Sequence, residues 1–378
     1  MISQCFALSP RDGLFVKDGR GWYTSDIGKS HSHPWPPPPT IRSALRAAYG
    51  HAFMEQHQKE LSPEDWESQS EGICVHRLLT LRRPLDSEEY THNHILWPTP
   101  ADALYTEGKV QRLKPKKLQH QGLGIGDDPA LNSLAYALLE GEAKKPKPKP
   151  MFWTNHSMLA WLQGKEATDD APGHQPSTRD DIHVTIDSFT QSAKASLMFS
   201  SRVIEALDKD RHAWAIGLQC GFPDPTALNH GSIPLGGRRR PALIQRLSDS
   251  LFKAPAGHEF QASKGLRLIL ATPAEFLEGW LPDGLGAEGN EYRGKLLGME
   301  LVLKAAMVPR PLYLSTWDMA NKRPRKTRIL VPAGAVYFFE KAKGEPFSPE
   351  DFCNAWLSSI GQKREDGLGL VLPGIWTP

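Results

Sequence analysis

Cysteine is the first thing this sequence is short of. Only Cys5, Cys74, Cys220 and Cys353 occur in 378 residues, far apart and without a Cys-x-x-Cys pair. They read as reduced, mostly buried thiols of a cytoplasmic protein. Long apolar runs are missing too, so nothing in the sequence reads as a membrane span. No secretion signal is visible, since charge and glycine arrive by Arg11-Asp12-Gly13. Net charge is nearly absent, with 45 basic against 43 acidic residues. A nucleic-acid partner therefore has to be argued from where the charge sits. Hydrolase signatures are lacking: there is no Gly-x-Ser-x-Gly, no His-Glu-x-x-His and no phosphate-binding loop of the Gly-x4-Gly-Lys-Ser/Thr type. Gly122-Leu-Gly-Ile-Gly126 misses the dinucleotide spacing, and Asp127-Asp128 would repel a pyrophosphate. No cofactor is expected, and no short-period repeat is visible.

Proline and glycine are abundant, at 32 each. His33-Pro-Trp-Pro-Pro-Pro-Pro-Thr40 is a stiff extended segment, and Lys144-Lys-Pro-Lys-Pro-Lys-Pro150 a solvated, cationic linker. The length suits two domains with good cores. The last third reads strand, helix, strand, strand, helix, strand. Gly265 to Ala271 is an apolar strand, and Thr272-Pro-Ala-Glu275 reads as a helix start. Lys295 to Val308 and Arg328 to Phe339 read as strands. Ser348-Pro-Glu-Asp351 starts a second helix with Phe352, Trp356, Leu357 and Ile360 on one face and Gly361 as its stop. Gly367 to Gly374 closes the unit. That β-α-β-β-α-β order is ferredoxin-like, a sheet on which single-stranded RNA is often read.

Upstream, Met1 to Leu8 reads as a strand and Leu14 to Tyr23 as a hairpin around Asp18-Gly19. Thr40 is expected to cap a helix that buries Ile41, Ala44, Leu45 and Ala48 and carries Arg42 and Arg46 on its other face. Ile73 to Leu81 reads as a strand, and residues 82 to 130 as irregular. Met151 to Trp153 suits a short strand, and Asn155 to Gln163 a helix stopped by Gly164. Glu166 to Asp181 reads as a loop, Ile182 to Phe199 as a hairpin arm and Ala213 to Cys220 as a strand. The expected fold class is α+β, with tandem ferredoxin-like (RRM-like) domains over 1–180 and 181–378 and long inserted loops.

Three basic runs contain no acidic residue: Arg238 to Arg240 after Gly236-Gly237; Lys322, Arg323, Arg325, Lys326 and Arg328; and Lys109, Arg112, Lys114, Lys116 and Lys117. Uncompensated clusters are what phosphate binding needs, although a single run is usually a solvated face. Gly367-Leu-Gly369 either lets backbone amides approach a phosphate or forms an ordinary turn. His31-x-His33 and His92-Asn-His94 could each offer two metal ligands, but nothing nearby completes a site, so no metal is expected.

The ordered series of local patterns resembles the RAMP superfamily, and within it the family of the third Cmr subunit of type III-B CRISPR effector complexes. The resembling stretches are Asp12-Gly-Leu-Phe-Val-Lys-Asp-Gly-Arg20, Pro34 to Arg46, His183-Val-Thr-Ile-Asp187 with Leu197-Met-Phe-Ser200, and Leu235 to Arg240. Thr272-Pro-Ala-Glu-Phe276, Gly279-Trp-Leu-Pro282, Trp317-Asp318, Arg323-Pro-Arg-Lys326, Val331-Pro-Ala-Gly-Ala335 and the closing glycine loop complete it. The resemblance implies two ferredoxin-like domains and no catalytic activity. It implies a subunit that holds the repeat-derived 5′ handle of crRNA beside the large polymerase-palm-like subunit and a RAMP backbone subunit. Carried over by position, Arg42, Arg46, His183, Lys194, Ser200, Gly236, Gly237, Arg238, Arg239, Arg240, Gly367 and Gly369 become RNA-binding candidates. Arg323, Arg325 and Lys326 join them from the basic runs. The sequence departs from the family at Lys194-Ala195-Ser196, where acidic residues and glycine are usual, at Arg238 for glutamate and at Ala335 for serine. Ser196 is a poorer turn residue than glycine.

The leading expectation is a non-catalytic RNA-binding subunit in antiviral defence. One rival is a metal-free RAMP endoribonuclease cutting precursor RNA with His31, His33 or His183. The other is a protein-only scaffold whose basic clusters meet acidic partners.

Overall fold

The computed structural model describes residues 2–19, 29–106, 109–117, 128–139, 145–166, 173–223, 228, 231–255, 260–318, 321 and 323–378. The 122–126 glycine run, Lys144, Lys322 and the second half of the expected 14–23 hairpin lie outside them. The protein is α+β, with mainly antiparallel sheets and few helices. No described helix is long and apolar enough to cross a membrane.

The chain begins with β1 (Ile2–Pro10). Helix α1 (Pro38–His57) starts two residues before the expected Thr40, with Pro37 at its cap and no side-chain cap bond. Proline serves there because the first-turn amides have no intrahelical acceptor anyway. Ile41, Ala44 and Leu45 are buried as the spacing required, but Ala48 is only half-buried and the larger Tyr49 beside it fills the core instead. Helix α2 (Pro63–Ser70) is capped by Ser62, which accepts from Asp65 N. Strand β2 (Cys74–Pro84) follows. Residues 82 to 130 are less irregular than expected and include β3 (Ile95–Pro98). Strand β4 (Phe152–Thr154) runs straight into α3 (Asn155–Leu162), whose cap is Thr154. Gly164, at φ +78°, leaves the helix where the sequence placed its stop.

Strands β5 (Thr178–Ile186) and β6 (Ala193–Ile204) form the expected arm, starting earlier than Ile182. Next come β7 (His212–Phe222), β8 (Ser232–Leu235) and β9 (Arg240–Arg246). Then follow β10 (Gly265–Leu270), β11 (Glu291–Leu296), β12 (Met299–Met307) and β13 (Val336–Lys341). The chain finishes with α4 (Pro349–Ala355) and β14 (Val371–Trp376).

The chain divides into two compact units, and neither is continuous. The first is Met1–Tyr90, Pro176–Ser248 and Tyr313–Ile329; the second is Thr91–Gln175, Asp249–Leu312 and Leu330–Pro378. The arm and the 236–240 loop thus belong to the first unit, not to a second domain beginning at 181. In the first unit the sheet runs β2-β7-β1-β9-β8. Leu8 pairs with both Ile216 and Ile244, and all three lie in this sheet's middle strands. In the second unit it runs β11-β12-β13-β10-β14. Both share the spatial order fourth, first, third, second, with antiparallel neighbours.

Among the described residues, one crossover per unit is helical: α1 in the first and α4 in the second. The helix expected at Thr272 does not form. Thr272 Oγ1 donates to Gly367 O and accepts from Leu370 N, while Ala274 exchanges backbone bonds with Val331. Long-range pairing here overrides a local capping pattern worth only about 1 kcal/mol. Helix α4 starts after Ser348 as expected, with a Ser348–Asp351 capping box, but it stops at Ala355 rather than Gly361. Leu357, at φ +50°, turns back so that its N–H reaches Val371 O at 2.9 Å.

Candidate nucleic-acid interface

The arm is a two-stranded hairpin, and residues facing each other across it share a face. One face carries Ile182 opposite Ser200, Val184 opposite Met198 and Ile186 opposite Ala193. It is uncovered: Ile182 is 69% and Met198 62% exposed, and Phe189 at the tip is 96% exposed. The tip is built on Asp187, whose Oδ1 accepts from Phe189 N at 2.9 Å and Thr190 N at 3.0 Å. These amides, with Lys194 at 3.3 Å, hold the Asp187 carboxyl below its ordinary pKa. The turn therefore sits at 187–192, and Ser196 lies in β6, within the register shift between the Val184–Met198 and Ile186–Ala193 pairs.

The opposite face pairs His183 with Phe199 and Asp181 with Ser201. At the base of the arm five charged side chains interlock. Arg179 reaches Asp181 at 2.8 Å, Glu205 at 2.8 Å and Asp12 at 3.1 Å. Arg240 reaches Asp12 at 3.0 Å, Asp181 at 3.1 Å and Gly13 O at 2.8 Å. The Asp12 carboxyl is held low by the Gly13 amide and then by Arg179. Asp181 is held low mainly by its bond from Arg179. Arg240, expected on RNA, instead locks the arm to the first strand's end.

The loop before β9 folds over Phe15. Gly237 N donates to Phe15 O at 2.6 Å, and a side chain at Gly236 (φ +70°) would meet the same oxygen. Those backbone groups serve a turn. The loop then puts two arginines in left-handed backbone, Arg238 at φ +64° and Arg239 at φ +48°. Such conformations are costly for side-chain-bearing residues and concentrate at functional sites. Arg238 Nη2 donates to His183 Nε2 at 2.7 Å, and the His183 ring packs against Phe199, tilted by 38° with centroids 4.8 Å apart. An arginine only donates, so this nitrogen carries no proton in this geometry. The Arg239 side chain is exposed and makes no ion pair or hydrogen bond with a described residue.

The other candidates are distributed differently. Arg42 clamps Ile73 O at 2.7 Å and Glu71 O at 2.8 Å; Arg46 holds Ser70 Oγ at 2.9 Å and Glu67 O at 3.3 Å. Both tie α1 to the carbonyl end of α2, which favours a cation. Arg323 and Lys326 are exposed, and Arg325 pairs with Glu67 at 3.4 Å, beside the exposed Trp317. Arg112 leaves the third run: it donates to Trp161 O and Lys165 O and lies 3.7 Å over the Trp161 ring. In the second unit, Gly367 N donates to Arg364 O and Gly369 N to Pro273 O, both at buried positions. The turn reading accounts for this loop. Within the arm, sequence reasoning singled out neither the exposed Phe189 nor the turn built on Asp187, and it did not foresee the Asp12–Arg179 network. Alternating apolar residues in a polar arm were the available signal for the uncovered face. Among the described residues no three His, Cys, Asp or Glu side chains come together as a metal site would require.

A family model described as CRISPR-associated protein (Cas_Cmr3) matches residues 6–376. The class of protein is therefore a RAMP-type subunit of type III-B CRISPR effector complexes. Within that class, the chain belongs to the Cmr3 family. It is similar to a chain in the cryo-EM structure of the Type III-B Cmr-beta bound to cognate target RNA, with 12% identity and TM-score 0.44, over 88% of this chain and 86% of that one. It is also similar to a chain of the Csm3-Csm4 subcomplex of the type III-A interference complex, with 8% identity and TM-score 0.36, over 91% and 98%. A CRISPR protein from Archaeoglobus fulgidus gives 8% identity and TM-score 0.28, over 92% and 97%. No curated protein matches the sequence.

Proposed function

We propose that this subunit is non-catalytic and binds the repeat-derived 5′ handle of crRNA, anchoring the large polymerase-palm-like subunit and a RAMP backbone subunit in the cytoplasm. The observation that carries this reading is the pairing of a cationic loop with an uncovered arm. Arg238 and Arg239 are presented on strained backbone, at the face of an arm whose other face and tip are apolar and exposed. Cations hold phosphates, while apolar and aromatic groups meet unstacked bases or a neighbouring subunit. Each unit is read as a ferredoxin-like module that keeps one crossover helix. The ribonuclease reading is weakened because His33 is buried and His183 accepts from Arg238.

The test is RNA affinity of the assembled complex against salt, with Arg238 and Arg239 both changed to Ala. For single strands each phosphate contact contributes about 0.7 to the log–log slope, so the double change should flatten it by about 1.4. An unchanged slope refutes the assignment of these two arginines. Cleavage of repeat RNA in EDTA by the chain alone would replace the reading with the nuclease one.

A further inference from the structure

Two cationic stretches of the sequence play no part in the arm: the 109–117 run and the Lys-Pro linker that ends at Pro150. The chain brings them together within the second unit. Strand Ala103–Thr106 pairs with Lys109–Arg112, which sets Tyr105 opposite Val110 and Thr106 opposite Lys109. Tyr105 O also accepts from Lys147 N at 2.8 Å. No more than two strand spacings, about 10 Å, therefore separate the two stretches. The linker is pinned again at its end, where Thr99 Oγ1 donates to Pro150 O at 2.7 Å and Thr99 N to Met151 O at 3.0 Å. Strand Lys114–Lys116 pairs with Tyr136–Leu138, and Ala135 N donates to Lys304 O of β12 at 2.8 Å. What the sequence offered as a loose linker and an irregular run is a fixed ribbon.

The cations of this ribbon divide by type. Arg112 turns inward to Trp161 O and Lys165 O, and burial pushes its pKa down to about 9. The lysines stay outside: Lys109, Lys114, Lys116, Lys117, Lys145 and Lys147 are all exposed. Four of them, Lys109, Lys116, Lys117 and Lys145, make no ion pair or hydrogen bond with a described residue. On the neighbouring sheet, by contrast, Arg293, Lys304 and Lys341 each meet a carboxylate. Asp102, at the root of the ribbon, is taken by Arg267. Like charges held this close on a fixed backbone repel one another, and a polyanion removes that repulsion. No large apolar side chain of the described ribbon is exposed. Protein interfaces favour aromatic residues and arginine and are poor in lysine, whereas lysine suits phosphate as a point charge.

We propose that this lysine ribbon is a second nucleic-acid contact, in the other unit from the arm, that holds the sugar–phosphate backbone of one strand without reading its sequence. Phosphate contacts of this kind position a strand and carry no base information. The strand is either the RNA resident in the complex or a separate one; the ribbon's chemistry is the same for both. The inference stands apart from handle binding, since it uses none of the residues assigned to it.

The experiment is fluorescence anisotropy of the full chain with a labelled poly-uridine strand of about 20 nucleotides, repeated across salt concentrations. Changing Lys109, Lys116, Lys117 and Lys145 together to Gln should flatten the log–log slope by about 2.8, at about 0.7 per single-strand phosphate contact. It should also lower affinity at least tenfold at low salt. The same four changed to Arg should bind within twofold of the unaltered chain, and poly-adenosine within threefold of poly-uridine. All four side chains are exposed, so Tm should not move. Gln at Lys264, Lys295, Arg310 and Lys343, also exposed and in the second unit, makes the same charge change and should leave the slope as it was. Repeating the measurement with Arg238→Ala and Arg239→Ala as background keeps the ribbon's effect apart from the arm's. Absence of binding, an unchanged slope, or an equal drop in the control variant overturns the proposal. So does loss of a subunit from the complex with RNA affinity intact, which would make the ribbon a contact for an acidic protein. In the purified complex, resident RNA lost from the Gln variant in a salt wash assigns the strand to that RNA. Resident RNA kept while added poly-uridine no longer binds assigns the ribbon to a separate strand.

Discussion

Replacing Asp102 by Ala should destabilise the second unit more than almost any other single change. Arg267 lies in the middle of β10, and both it and Asp102 have fully buried side chains, 2.7 Å apart. Asp102 also accepts from Trp161 Nε1 at 3.0 Å, and Arg267 donates to Trp161 O as well. Burial depresses the Arg267 pKa, and Asp102 works against that depression. Removing the carboxylate strands a buried guanidinium whose Nε already lacks a partner, and it leaves an indole N–H without an acceptor. Breaking one side of a buried pair costs about 3–5 kcal/mol. In a unit of about 200 residues, each kcal/mol moves Tm by roughly 2–4 °C, so the drop should be roughly 6–20 °C. Calorimetry of the purified chain reads it directly. The double change Asp102→Leu with Arg267→Met exchanges the pair for apolar groups and should restore most of the loss, since such exchanges are often neutral. A drop below 2 °C for Asp102→Ala, or a double variant worse than the single one, would refute the argument.

Gly369→Ala should cost at least ~2 kcal/mol, because a Cβ there would sit 1.9 Å from Ile360 O and the backbone is at φ +73°. Gly298→Ala has a similar backbone, φ +80°, but open space around it, so it should cost only about 1 kcal/mol; equal losses in urea titrations would contradict the packing argument. The arm's anchor should resist mild acid. Asp12 and Asp181 have folded pKa values below the ordinary 3.8, so their contribution is fully present above that pH and is lost as pH falls through the lowered values. Hydrogen-exchange protection of the arm base, corrected for intrinsic rates, should hold from pH 7 to 5; loss across that window would implicate other groups.

Short-range features were readable in the sequence. Ser348 and Asp351 bracket a helix start, Gly164 ends a helix, and the arm's strands were located. What failed depended on distant partners. Thr272 and Pro273 look like a helix start until Gly367 to Leu370 arrive to use their polar groups. Three consecutive arginines are equivalent in sequence, yet Arg240 meets carboxylates from positions 12 and 181, Arg238 meets His183, and only Arg239 stays open. Arg42 and Arg46 looked like a phosphate clamp because the carbonyls they hold, at 67 to 73, carry no charge in a sequence reading. Charge patterns give a supply of cations; tertiary contacts decide which remain for a ligand.

The interleaving of the two units has a consequence for how the protein is made. Strand β1 leaves the ribosome long before its two neighbours, β7 and β9. About 200 residues separate it from β7, which at 5–20 residues per second means roughly 10–40 s with both edges of β1 bare. Unpaired strand edges are templates for wrong partners. A nascent chain of this kind depends on protection during synthesis, and a fragment ended at residue 180 would leave β1 with neither neighbour.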